Sequence, residues 1–176
     1  MDILVSVIIP TYKRPKTLGR AIDSVLNQTY KNIELIVVDD NDPDTDYRKD
    51  TEKVLNSYLT IDKRVKYIQH ERNKNGAAAR NTGIRNSSGY YICFLDDDDY
   101  FFPERIELML SFLIKNQNYD GVYCGWMKNN YQYLPELKDS YIENLLMGKT
   151  FIYTPTTLLI KEKVIKINGW SELISK

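Results

Sequence analysis

The chain has 176 residues, 43% of them hydrophobic and 27% charged, which suits one well-buried domain and excludes a disordered, collagen-like or coiled-coil protein. Its 24 Lys and Arg side chains balance 24 Asp and Glu side chains. A protein whose main task is to neutralise nucleic-acid phosphates or anionic lipid is excluded on that ground, and any anion site has to be local.

Met1 to Pro10 lacks the basic n-region and small-residue cleavage site of a secretory signal, and no apolar run approaches the roughly 18 residues that span a bilayer. The expectation is a cytoplasmic chain without a transmembrane segment. Cys93 and Cys124, with no CxxC spacing or His cluster around them, are then expected as reduced thiols, a disulfide being the alternative.

Ile3 to Ile9 is a β-branched apolar run closed by Pro10, the pattern of a strand buried on both faces. After Pro15, the residues Leu18, Ala21, Ile22, Val25 and Leu26 form one helical stripe. Ile33 to Val38 predicts a second buried strand that stops at Asp39-Asp40. Asn41 to Asp50 is polar and acidic, and Val54, Leu55, Tyr58 and Leu59 give a weaker helical stripe. Val65 to Ile68 reads as a more exposed strand, and Gly76 to Ile84 as a helix of small residues able to lie close to a sheet. Tyr90 to Leu95 predicts the next strand, ending in Asp96 to Asp99, and Pro103 opens a helix carrying Ile106, Met109, Leu110, Leu113 and Ile114. Beyond Gly121 the pattern loosens: Val122 to Cys124 as a strand, Tyr141 to Met147 as a short helix, Thr156 to Ile160 as a strand. Strands alternating with helices predict an α/β domain with a mainly parallel central sheet flanked by helices.

In an open parallel sheet the ligand crevice lies outside the carboxyl ends of the strands. Three predicted strands end there in Pro10-Thr11-Tyr12, Asp39-Asp40-Asn41 and Asp96 to Asp99. So many carboxylates on one edge repel unless something positive sits between them, and a magnesium or manganese ion is the simplest compensator. A solvated acidic loop is the bland alternative, countered by the buried strand before the tract and the proline-started helix after it. A helix-loop-helix calcium site around Asp40, Asp42 and Asp44 fails, because Thr45 and Thr51 stand where glycine and glutamate are needed. Phosphate loops of the G-x-x-x-x-G-K-[ST] and G-x-G-x-x-G types and the G-x-S-x-G elbow are absent. His70, the single histidine, sits at a strand end and is expected to be structural.

Val5 to Tyr12, Ser24 to Tyr30, Glu34 to Asp40, Ala79 to Ile84 and Phe94 to Asp99 together resemble the ordered blocks of family 2 glycosyltransferases. The resemblance implies the Rossmann-like glycosyltransferase A fold, a nucleotide-diphosphate sugar donor (a UDP-sugar), a divalent cation (Mn2+ or Mg2+) and transfer with inversion to a glycan or lipid-linked acceptor. It implies a single domain over 1–176, with a donor-binding half over 1–120 and a partial acceptor-side half over 121–176. By position, Thr11 and Tyr12 match the turn that holds the nucleobase, Asp40 the carboxylate that accepts from the base, and Asp97 a ribose contact. Asp98, the last residue of the D-x-D begun by Asp96, matches the metal ligand. Arg80 matches an arginine near the donor, a helix-to-sheet ion pair being its alternative.

The family's general base lies in an acidic motif just after a block like Asn168 to Leu173, so it is expected beyond Lys176; Glu172 resembles the residue before that motif. Thr154 to Thr157 is expected to be part of an acceptor loop. The 14 tyrosines, several between Tyr119 and Tyr141, suit an acceptor groove or an interface. The resemblance places the chain in the cytoplasm, at the inner face of the membrane where the acceptor is lipid-linked. Two other readings are a non-catalytic nucleotide-sugar-binding module and a sugar-nucleotide pyrophosphorylase. The second calls for a Gly-rich loop where this chain has Thr11-Tyr12-Lys13-Arg14-Pro15.

Overall fold

The computed structural model describes residues 2–134 and 151–173. The expected helix over Tyr141 to Met147 lies outside the described residues. The elements run β1 (Val5–Thr11), α1 (Pro15–Leu26), β2 (Ile33–Asp39), α2 (Asp46–Ile61), β3 (Val65–Gln69), α3 (Gly76–Asn86), β4 (Tyr91–Phe94) and α4 (Arg105–Lys115). There follow β5 (Gly121–Tyr123), β6 (Trp126–Lys128), β7 (Tyr131–Tyr133), a 3-10 turn (Thr154–Thr156), β8 (Thr157–Ile160) and α5 (Lys161–Lys166).

The six-stranded sheet has the order β3-β2-β1-β4-β8-β5. β1 to β4 are mutually parallel, and β8 runs antiparallel to both neighbours. The expected α/β architecture with a mainly parallel sheet is what forms. Alternate residues of each central strand face opposite layers. Val5, Val7, Ile9, Leu35 and Val37 pack with α1, α2 and α4, whereas Ile8, Ile36, Val38 and Phe94 pack with α3 and α5. Gly83 explains how closely α3 lies: a Cβ there would come within 2.3 Å of Ile8 Cγ2.

β1 continues through Pro10 to Thr11, two residues past the expected end. Its ladder with β4 stops at Ile8↔Phe94, so the missing proline N–H falls on the β4 side beyond the last rung. Helix α2 starts eight residues before the stripe that predicts it. Thr45 caps its N-terminus by accepting from the Arg48 N–H, Asp46 favours its first turn, and the polar residues Arg48 and Thr51 are buried along with Leu55. The β6–β7 hairpin and α5 were not anticipated. The hairpin is made by Asn129 and Asn130, both at positive φ (50° and 66°), as a two-residue primed turn requires. Cys93 is buried and Cys124 half-buried, both free thiols as expected.

Candidate active site

The carboxyl ends of β1, β2 and β4 meet the first turn of α3 in a cleft of about 460 Å³. Thr11, Tyr12, Asp40, Arg80, Asp96 and Asp97 all line it, so the fold brings six sequence-predicted residues together. Asp98 stands at the rim, joined through Arg14 Nη1 (3.0 Å) to the same turn.

The turn after β1 is held from below. Asp97 Oδ2 accepts from Thr11 Oγ1 (2.8 Å) and from the Tyr12 N–H (3.2 Å), while Asn41 Oδ1 accepts from the Lys13 N–H (2.8 Å). Lys13 takes φ of 59°, which turns the chain and leaves the Tyr12 ring 38% exposed, with the Lys13 ammonium 4.8 Å from its centroid. Burial pushes the Asp97 carboxyl up from its ordinary value, opposed by Thr11, Tyr12 and Arg14. Asp97 Oδ1 has one partner, Arg14 Nη1 at 3.2 Å, whose side chain is largely in solvent, so this oxygen is the edge free to turn toward a ligand.

At the end of β2 two adjacent aspartates divide the work. Asp39 is wholly buried and structural: it accepts from Tyr67 Oη (2.6 Å) and from both nitrogens of Asn41, and pairs with Arg48 Nε (3.2 Å). Burial raises its pKa and, with the Asp39 charge beside it, that of Tyr67. Asp40 faces the cleft. Its Oδ1 accepts from the Lys74 N–H (2.8 Å) and lies 2.7 Å from His70 Nδ1, and its Oδ2 accepts from Asn73 Nδ2 (2.9 Å). His70 is thus structural, as expected, yet the group it steadies is a site residue.

The acidic tract after β4 is not four equivalent carboxylates. Asp96 pairs with Arg80 Nη2 at 2.6 Å, the helix-to-sheet ion pair held open as the alternative for Arg80, and the buried Arg80 Nε finds no hydrogen-bond partner among the described residues. Asp97 is committed to the β1 turn. Asp98 presents a side chain 44% exposed, and its backbone carbonyl accepts from Arg20. Asp99 accepts from Tyr153 Oη (3.0 Å), and burial, with Asp96 and Asp98 nearby, raises its pKa. Among the described residues no three His, Cys, Asp or Glu side chains stand together as a ready-made metal cage.

Several supports were invisible to sequence reasoning: Asn73, Asn75 (which caps α3 by accepting from the Ala78 N–H at 3.0 Å) and Tyr153. Only Asn75 carries a readable signal, an asparagine at positive φ directly before a glycine-led helix. Glu172 is engaged: Asn81 Nδ2 donates to its Oε1 at 2.8 Å and Arg85 lies 4.0 Å away.

Across the tract from the cleft lies a second cavity of about 660 Å³, walled by Asp98, Asp99, Tyr100, Phe102, Trp126 and Met127 among others. The expected acceptor loop, Thr154 to Thr157, forms the 3-10 turn and the first residue of β8, and its Pro155 and Thr156 line this cavity. Among the described residues no helix is long and apolar enough to cross a membrane.

The family described as Glycosyl transferase family 2 matches residues 6–167. The chain is 42% identical over 147 residues to a protein of Rickettsia felis described as an uncharacterized glycosyltransferase, covering 84% of this chain and 22% of that one. It is 37% identical over 131 residues to the Escherichia coli protein WfgD, covering 74% of this chain and 47% of that one. WfgD is described as a UDP-Glc:alpha-D-GlcNAc-diphosphoundecaprenol beta-1,3-glucosyltransferase. The crystal structure of S. aureus TarS 1-349 shares the fold, with a TM-score of 0.78 at 22% identity over 99% of this chain and 52% of that one. The chain therefore spans about a fifth to a half of the length of these proteins.

Proposed function

The chain belongs to Glycosyl transferase family 2, and from that premise we propose that it forms the donor-binding domain of a metal-dependent, inverting glycosyltransferase that uses a UDP-sugar. The observation that carries the reading is the convergence of Tyr12, Asp40 and Asp97 from three different strand ends on one cleft, with Asp98, the next residue after Asp97, tied to it through Arg14. The reading gives the Tyr12 ring the base to stack on, Thr11 the task of holding that turn, and Asp40 a hydrogen bond from the base. Asp97 turns Oδ1 to a ribose hydroxyl, and Arg80 with Asp96 borders the diphosphate.

The residues fit a divalent cation at Asp98. Hard cations of the magnesium and manganese type bind through one or two carboxylates plus phosphate oxygens and water, and among the described residues Asp98 is the tract's carboxylate whose side-chain partner is a largely exposed arginine, Arg14. A cation there supplies charge neutralisation for the departing nucleoside diphosphate. This chain's own contribution is to fix the diphosphate's position with Arg80 and to exclude water beneath it with the β1 turn. UDP as the nucleotide follows WfgD, whose described donor is UDP-Glc. A glycan or lipid-linked acceptor is consistent with a second, aromatic cavity lined by Asp98 and Asp99, the residues that follow the cleft-lining Asp96 and Asp97.

Calorimetric titration with UDP, GDP, CDP and dTDP, each with and without Mn2+, tests the reading. The expected result is preference for UDP strengthened by Mn2+, with D98A losing the strengthening. Binding of no nucleotide, or a Mn2+ effect that survives D98A, overturns it.

A further inference from the structure

Asp40 is almost wholly enclosed, yet it borders the cleft. An ionised carboxylate offers about four acceptor positions, two per oxygen. His70 and Lys74 fill both positions on Oδ1, and Asn73 fills one on Oδ2. Among the described residues no donor fills the remaining position, on Oδ2. A carboxylate turns easily about its last bond, because a torsion between tetrahedral and planar atoms has broad minima. The direction of the free position therefore depends on the donors that grip Oδ1.

One of those donors is the single imidazole of the chain. Its Nδ1 faces a group that only accepts, so Nδ1 carries a hydrogen. Its Nε2 lies 2.9 Å from Thr82 Oγ1, and that oxygen already accepts from Arg85 Nη2 at 2.9 Å. Thr82 has no other acceptor for its hydroxyl hydrogen among the described residues, so the arrangement that satisfies every group has Thr82 donating to Nε2. The hydrogens then run one way, from Arg85 to Thr82, to His70, to Asp40, and each bond polarises the next. Arg48 Nη2 also holds the His70 backbone carbonyl at 2.7 Å, which fixes the stretch of chain from which the ring projects.

We propose that His70, locked by Thr82 in its Nδ1–H tautomer, is a positioning residue that aims the last acceptor position of Asp40 into the cleft and so selects a nucleobase presenting an N–H. The inference rests on the nucleotide reading of the cleft and adds to it a residue that touches no substrate.

The test uses UDP with Mn2+ as the probe on the 176-residue chain. H70A is expected to weaken UDP binding about tenfold, the worth of one hydrogen bond to a charged group. H70N puts an amide N–H where Nδ1–H was and is expected to stay within about threefold of the wild type. Adding H70A to D40A is expected to cost nothing further, because His70 acts through Asp40. As the chain has a single histidine, nitrogen NMR of the imidazole reads the tautomer without any substitution. A protonated Nδ1 with a bare Nε2 is the expected signature, and a neutral ring protonated at Nε2 overturns the proposal. Loss of UDP binding in D40A but not in H70A overturns the role of His70 and leaves the nucleotide reading standing. UDP binding that D40A leaves intact overturns the nucleotide assignment and this inference with it.

Discussion

The two cavities on either side of the Asp96–Asp99 turn are built on opposite plans. In the donor cleft nearly every polar atom has a protein partner: Asp40 has three donors, Asp97 three, and Asp96 an arginine at 2.6 Å. The second cavity carries charged residues as well, but aromatic rings, two methionines and Leu108 make much of its wall, and its hairpin is held by one ladder, the Trp126–Tyr133 stack at 4.1 Å and a Trp126–Tyr153 contact at 5.6 Å. Tyr100, Phe102, Met127, Tyr131 and Tyr133 remain exposed. Charged groups in a low-dielectric cleft have to be placed before the ligand arrives, since reorganising them costs more than it returns. Aromatic faces tolerate many partners without fixed donors. On the reading proposed above, the contrast pairs a pre-organised lattice with the nucleotide, the constant part of a transfer reaction, and an adaptable wall with the acceptor, its variable part.

This contrast is open to test, most severely where packing is tightest. G83A drives a methyl into Ile8 at 2.3 Å and is expected to cost about 2–3 kcal/mol in denaturant unfolding, carrying the donor cleft with it. Next comes W170A, which removes an edge-on contact with Phe94 (4.5 Å) while the two Asn81 hydrogen bonds, made to the Trp170 backbone, stay in place. The expected loss is about 2 kcal/mol, because the ring is half-buried.

Glu34 gives a pH test. Burial alone would raise its pKa, but Lys66, Ser6 and the Ser88 N–H outweigh burial and the net shift is downward. A carboxylate lowered in the folded state contributes stability above the ordinary value of 4.5 and loses it as pH falls through the folded value. E34Q is therefore expected to lower stability at pH 7 by about 1–2 kcal/mol and to flatten the acid limb of a pH–stability curve. The smallest effect is expected across the turn: Y133A removes a stacked pair at the surface and costs about 1 kcal/mol in the same unfolding assay. A loss larger than that of W170A would show that the hairpin belongs to the rigid half after all.

The strands β1, β2 and β4 were legible as continuous apolar runs buried on both faces, and helices α1 and α4 because their apolar residues repeat at the helical period and point at one core. The first half of α2 was not, since it buries Arg48 and Thr51, polar residues whose partners, Asp39 and Asn41, lie on a different strand end. The hairpin escaped because its signal is a pair of asparagines flanked by strands of three residues each. At the site, carboxylates at strand ends announced the edge. The groups that aim them, Asn73, His70 and Tyr153, come from loops whose approach is set by the finished sheet, so no local spacing encodes them. Asp97 shows the limit most clearly: position alone marks it as a ligand contact, whereas the fold also makes it the peg on which Thr11 and Tyr12 hang.

The place of β8 has a consequence for how the chain is made. This strand is the last in sequence, yet it sits inside the sheet, between β4 and β5. While a ribosome is still extending the chain, Tyr91–Phe94 forms an apolar strand with one bare edge, and it stays bare until residues 157–160 emerge and pair antiparallel with it. An unpaired edge of this kind invites pairing with another chain. Synthesis interrupted before residue 157 is therefore expected to leave a fragment that holds the cleft at the ends of β1, β2 and β4 together with this bare edge, and that is prone to self-association.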